Sequence, residues 1–122
     1  MKRAAVVTAL ACLVAACTTY PRSAHHIVPC SAQDCDAKWA LAQVWIAQNS
    51  GYRIRIATDS VIETFGPMGN SPALAYQVTR RMPPGQAGSI DISVACNATV
   101  YGCFTNPEPG ALALGNALRS GR

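Results

Sequence analysis

The chain has 122 residues, with ten Lys and Arg against six Asp and Glu, and half of its residues are hydrophobic. That length bounds it to one domain, and a formal charge of +4 is too small to mark a nucleic-acid binder. Only two histidines are present, which leaves little material for nucleophile–base or metal chemistry.

The chain starts Met1, Lys2, Arg3, and then "AAVVTALACLVAA" runs from Ala4 to Ala16 with Thr8 as its one polar residue. A basic start, a short apolar run and small residues at its end are the pattern of a secretory signal peptide. A membrane-spanning helix needs about 20 apolar residues, so this run is too short. Val14-Ala15-Ala16-Cys17 resembles the bacterial lipobox. That resemblance implies residues 1–16 as a signal peptide and Cys17 as the site of lipid attachment, with acyl chains held in a lipid bilayer. Thr18, not Asp, follows Cys17, which resembles the default for the periplasmic face of the outer membrane. Losing Lys2 and Arg3 lowers ten basic residues to eight against six acidic ones, a net +2.

Six cysteines are present: Cys12, Cys17, Cys30, Cys35, Cys96 and Cys103. Cys12 leaves with the signal peptide. Of the remaining five, an anchored Cys17 leaves four, enough for two disulfides in an oxidising compartment. Local pairing, Cys30 with Cys35 and Cys96 with Cys103, places each bridge just before a helix. The alternative links the two ends of the domain, for example Cys30 with Cys103.

From Cys17 to residue 29 the sequence reads as a lipidated, flexible tether, with Pro21, polar residues and no sustained period. His25 and His26 fall within it, where no rigid shell holds them for catalysis. The folded domain is expected from Cys30 to Arg122. Its first element is "DAKWALAQVWIAQNSG", a helix with Asp36 or Asp34 as N-cap and Gly51 just past its end. Ala37, Ala40, Leu41, Val44, Trp45 and Ala47 fill one wide arc at 100° per residue, the expected core face. Trp39, Ala42 and Ile46 form a second, narrower stripe. The tether or the C-terminal segment is expected to cover it, the alternative being a contact site for a partner.

Tyr52, Ile54 and Ile56 alternate with Arg53 and Arg55, a strand pattern. A three-residue loop of Thr58, Asp59 and Ser60 then pairs Ile56 with Ile62, Arg55 with Glu63 and Ile54 with Thr64. "GPMGNSP" is a loop. Leu74, Tyr76 and Val78 mark a third strand, "RRMPPGQAG" a further loop, and Ile90, Ile92 and Val94 a fourth strand. At the end, Asn106 caps, Pro107 fits the first helical position, and Ala111, Leu114, Gly115 and Leu118 form the stripe of a short helix. The expected fold class is α+β: an antiparallel four-stranded sheet with both helices on one face.

"KWALAQVWI", "TDSVIETFGP" and "CNATVYGCFTNP", with the Cys30 and Cys35 pair before them, occur in an order that resembles a group of small proteobacterial lipoproteins. The similarity covers nearly all of the folded part, and the chain departs from it at "LGNAL", which lacks an aromatic residue. The resemblance implies lipidation at Cys17 and brings no catalytic residue with it.

Nothing in the sequence marks an enzyme. There is no G-x-S-x-G, phosphate-binding glycine loop or His-x-x-x-His, no paired carboxylates, and no spacing among His25, His26, Asp34 and Asp36 that matches a tight metal site. No cofactor is expected. The polar sheet face, with Arg53 and Arg55, is a candidate docking surface for an envelope protein or polysaccharide. Trp39 and Ile46 are the other candidate interaction residues. The expected role is that of an envelope lipoprotein that is structural or binds a partner. The alternative is an inhibitor or immunity-type lipoprotein that blocks an envelope enzyme or toxin.

Overall fold

The structure is a computed structural model and describes residues 23–82, 86–97 and 102–122. The apolar leader, Cys17, the first part of the expected tether, and Pro83, Pro84 and Gly85 of the second loop lie outside the described residues.

Strands β1 (Ser23–Cys30), β2 (Ile54–Ala57), β3 (Val61–Thr64), β4 (Ala75–Arg80) and β5 (Gly88–Ala95) and helices α1 (Cys35–Asn49) and α2 (Pro107–Ser120) follow in the order β1-α1-β2-β3-β4-β5-α2. The sheet is antiparallel throughout, in the order β1-β5-β4-β3-β2. The α+β class is as expected, but the sheet has five strands rather than four.

The added strand is β1, and it corrects the tether boundary at residue 29. Ser23–Cys30 pairs along its whole length with β5, from Ser23 opposite Ala95 to Cys30 opposite Gly88. Ala24, Val28 and Cys30 are buried, while His25, Ile27 and Pro29 point outward. Pro29 has no N–H to give, which an edge strand tolerates because one of its sides carries no ladder. Without this strand, β5 would expose a row of unpaired backbone groups.

The register defines the two faces. Val28, Ile90, Ile92, Val94, Tyr76, Val78, Ile62 and Thr64 share one face with Arg80 and are buried. Both helices cover that face. Trp45 of α1 meets Tyr76 edge-on, with ring centroids 5.6 Å apart. In α2, a Cβ added at Gly110 would lie 2.5 Å from Leu74 Cδ1 and 3.6 Å from Val94 Cγ1, so the absent side chain is what lets the helix approach. The expected stripe of α2 is the observed one: Ala111, Leu114, Gly115 and Leu118 are all buried, behind Asn106 as N-cap and Pro107. At 14 residues the helix is not as short as expected.

In α1 the expected faces are exchanged. Cys35, Trp39, Ala42 and Ile46 form the buried seam, whereas Ala37, Ala40, Val44 and Ala47 of the wide arc are exposed. Two causes combine. Three of the six arc residues are alanines, and a methyl group removes far less area from water than Trp39 or Ile46, each worth about 1.5–3 kcal/mol or more when buried. The Cys30–Cys35 bridge also ties the start of α1 to the end of β1, which turns the seam containing Cys35 inward. Asp34, not Asp36, is the N-cap.

The β2–β3 hairpin differs from expectation by one residue at its tip. Thr58 N donates to Val61 O (2.8 Å), and Thr58 Oγ1 accepts from Val61 N (3.0 Å). This tight turn pairs Ala57 with Ile62 and Ile56 with Glu63, and an irregularity between Ile54 and Ile56 restores the expected pairing of Ile54 with Thr64. The bulge puts Ile56 on the face away from the helices. Arg55 and Glu63 still pair.

Both disulfides are local: Cys30–Cys35, with Cα atoms 4.9 Å apart, and Cys96–Cys103, at 6.2 Å.

Candidate functional site

The face away from the helices is built in rows across the sheet. Ser23, Ala95 and Ala75 form a row of small residues; His25, Ser93, Gln77 and Glu63 form the next; Ile27, Asp91, Thr79 and Val61 form the third. The small row leaves a shallow groove of about 170 Å³, flanked by Pro67, Glu63 and Gln77. The expected polar face is therefore assembled, and β1 adds His25 and the strongly exposed Ile27 to it.

Its charges are mostly paired. Arg55 binds Glu63, Arg81 Nε donates to Asp91 Oδ2 at 2.5 Å, and Ser89 Oγ donates to the other oxygen of Asp91 at 3.1 Å. His25 Nδ1 lies 2.7 Å from Ser93 Oγ. Arg53 is exposed and forms no ion pair with another described residue. Of the two arginines singled out from sequence, only Arg53 is thus a free cation. Exposed ion pairs of this kind contribute little to stability, about 0–1 kcal/mol each.

Trp39 and Ile46 are not on a surface. Trp39 is buried, Ile46 is fully buried, and both belong to the core between α1 and the sheet. This corrects their assignment as interaction residues. Trp39 instead belongs to a cluster that the sequence did not reveal. Its Nε1 donates to Thr58 O at 3.0 Å, and the Arg80 guanidinium lies over its ring, 5.9 Å from the centroid. Arg80 also binds Asp36, whose carboxylate is largely exposed, while the Arg80 side chain is only 3% exposed. Arg80 Nε is buried without a hydrogen-bond partner among the described residues. An open cavity of about 430 Å³ lies beside the cluster and includes Gln43 and Asp59 in its wall. The adjacent arginines in "TRRM" carried the signal in part. Strand alternation requires one of Arg80 and Arg81 to point inward, and Asp36 was available on the helix above.

The remaining titratable groups act locally. The Lys38 side chain and the Ser31 backbone hold the Asp34 carboxyl below the usual carboxylate range. Burial pushes the Tyr76 hydroxyl up to about 12. His26 is not a free linker residue: the Arg119 guanidinium of α2 donates to its Nε2 at 2.6 Å. Among the described residues, no three of His, Cys, Asp and Glu come together where they could hold a metal ion, and no helix is long and apolar enough to cross a membrane.

No family model matches the chain, and no curated protein or solved structure matches it.

Proposed function

We propose that this chain is a bacterial envelope lipoprotein, anchored through acyl chains on Cys17 at the periplasmic face of the outer membrane. Its domain has a structural or interaction role rather than a catalytic one. The observation that carries this reading is the cysteine pairing. Cys30 with Cys35 and Cys96 with Cys103 satisfy four thiols within the domain. With Cys12 removed in the signal peptide, the one cysteine left is the one at the lipobox. Two disulfides also suit an oxidising compartment and a small core.

Intact mass of the detergent-extracted, unreduced protein tests the anchor. The expected species starts at Cys17, carries a diacylglyceryl thioether and an acyl amide, and is lighter by the hydrogens of two disulfides than its reduced form. A chain that starts elsewhere with an alkylatable Cys17 overturns the reading.

The sheet face that no described element covers supports a second reading, an inhibitor or immunity-type lipoprotein. Ile27 stands exposed at its centre edge beside paired charges, a mixture of apolar and polar groups suited to docking a protein. A stoichiometric complex with one purified envelope enzyme or toxin, lost on Arg53→Glu with Arg55→Glu, would establish it.

A further inference from the structure

The domain is polarised along its strands. At one end lie the start of β1 at Ser23, the β3–β4 connection after Thr64, and the connection from Ala95 to α2. The described parts of those connections, residues 65–74 and 96–97 with 102–106, contain no charged side chain. They carry three of the large apolar residues left in solvent: Phe65 (45% exposed), Met68 (56%) and Phe104 (83%). Two exposed charges without an ion pair among the described residues flank these connections, the cation of Arg53 before β2 and the carboxylate of Glu108 in the first turn of α2. At the other end of the strands lie Asp34, Asp36, Lys38, Asp59, Arg80 and Arg81.

These apolar side chains stand on a built platform. Gly66 has φ +82°, and a Cβ there would meet the Tyr52 ring at 2.7 Å. Met68 N donates to Tyr52 OH (3.1 Å), Asn70 N to Asn97 O (3.2 Å) and Phe104 N to Pro72 O (2.9 Å). The three loops are thus tied together, and Ser23 shares a groove wall with Gly66 and Pro67.

We infer that this end rests on the lipid bilayer, with Phe104, Phe65 and Met68 in the interfacial layer and the end that carries Asp34, Asp59 and Arg81 held away from it. The inference rests on the lipoprotein reading of Cys17 and adds an orientation to it. The occupant follows from chain length. Because residues 23–30 are strand rather than tether, only the five residues 18–22 separate Cys17 from Ser23, a reach of about 20 Å at full extension over the six steps of the chain. Strand β1 is itself about 26 Å long, so the Ser23 end is held near the acyl chains and the Cys30 end is not. Aromatic and apolar side chains gain from burial at the headgroup boundary. The acyl chains supply the affinity, and the loops set the angle at which the domain stands.

The test uses the full lipidated protein in vesicles of phosphatidylethanolamine and phosphatidylglycerol, with brominated acyl chains as the quencher. Phe104→Trp is the reporter, Met68→Trp a second reporter on the same end, and Asp59→Trp the far-end control; emission of the unsubstituted protein is subtracted. The expected result is loss of most of the added emission for the two near-end reporters and none for the control. Equal quenching at both ends, or at neither, in a protein whose mass shows acylated Cys17 overturns the orientation and leaves the anchor standing. An unacylated Cys17 overturns the anchor and the orientation together.

Discussion

Arg80 reaches from β4 across the Trp39 ring to Asp36 on α1, so a buried guanidinium is clamped between an indole and one solvent-facing carboxylate. The clamp joins the sheet to the first turn of α1. Taking Arg80 out of water is costly, and Asp36 offsets part of that cost. Asp36→Ala leaves the charge buried and unpaired. We expect it to destabilise the fold by about 1–3 kcal/mol, read from the urea midpoint at unchanged slope. Arg80→Met removes the charge while keeping the chain over Trp39, and is expected to cost less than Asp36→Ala. The reverse order would show that the ion pair itself, not the uncompensated charge, dominates.

Gly115 faces His26 across the α2–β1 interface, where an added Cβ would lie 2.5 Å from the imidazole Cδ2. Gly115→Ala should therefore lower stability through overpacking, by about 1–3 kcal/mol, less the roughly 1 kcal/mol that alanine contributes to a helix. In a His26→Ala background the clash is absent, and the same change is expected to stabilise. A thermal-melt double-mutant cycle that shows no change of sign would place the imidazole elsewhere.

A soluble chain that starts at Ser23 is expected to unfold cooperatively in denaturant, with native amide dispersion. One that starts at Cys30 loses β1, including the fully buried Val28, and strips β5 of one of its two partner strands. Loss of Val28 burial alone costs about 1.5–3 kcal/mol. Equal stability of the two chains would restore the tether boundary at residue 29.

Tyr76 gives the domain an alkaline limit. Its hydroxyl is raised from 10.0 to about 12 because burial disfavours the phenolate. The folded state therefore holds the proton more tightly than the unfolded chain. The associated stability is full below pH 10 and is lost as pH rises toward 12. Stability measured across that window should fall more steeply in the natural protein than in Tyr76→Phe, and tyrosinate absorbance should show a late-titrating group that the variant lacks.

Much of the fold was legible in local sequence. The stripe of α2 reads directly because Asn106, Pro107 and the four buried positions agree with one another. The apolar alternation of Tyr76 and Val78, and of Ile90, Ile92 and Val94, placed two central strands and their faces. The Arg55–Glu63 pair also followed from the alternation, whereas the sequence favoured the local cysteine pairs and left a Cys30–Cys103 link open. Strand β1 was harder to see. Its inward positions are Ala24, His26, Val28 and Cys30, two of them weakly apolar at best, while the strongest apolar residue, Ile27, points outward. Its partner residues in β5 lie 58 to 72 positions away, so no local pattern announces the pairing.

The sequence by itself determined where apolar and polar groups alternate and where the chain turns. Those features depend on neighbours within a few residues, and the backbone periods of helix and strand make them readable. Only the tertiary structure decided which face of α1 turned inward, which of Arg80 and Arg81 was buried, and that His25 and His26 belonged to a strand. Each of those outcomes depends on a partner distant in the chain. The choice is made by the total area buried and the charges compensated once all the elements meet.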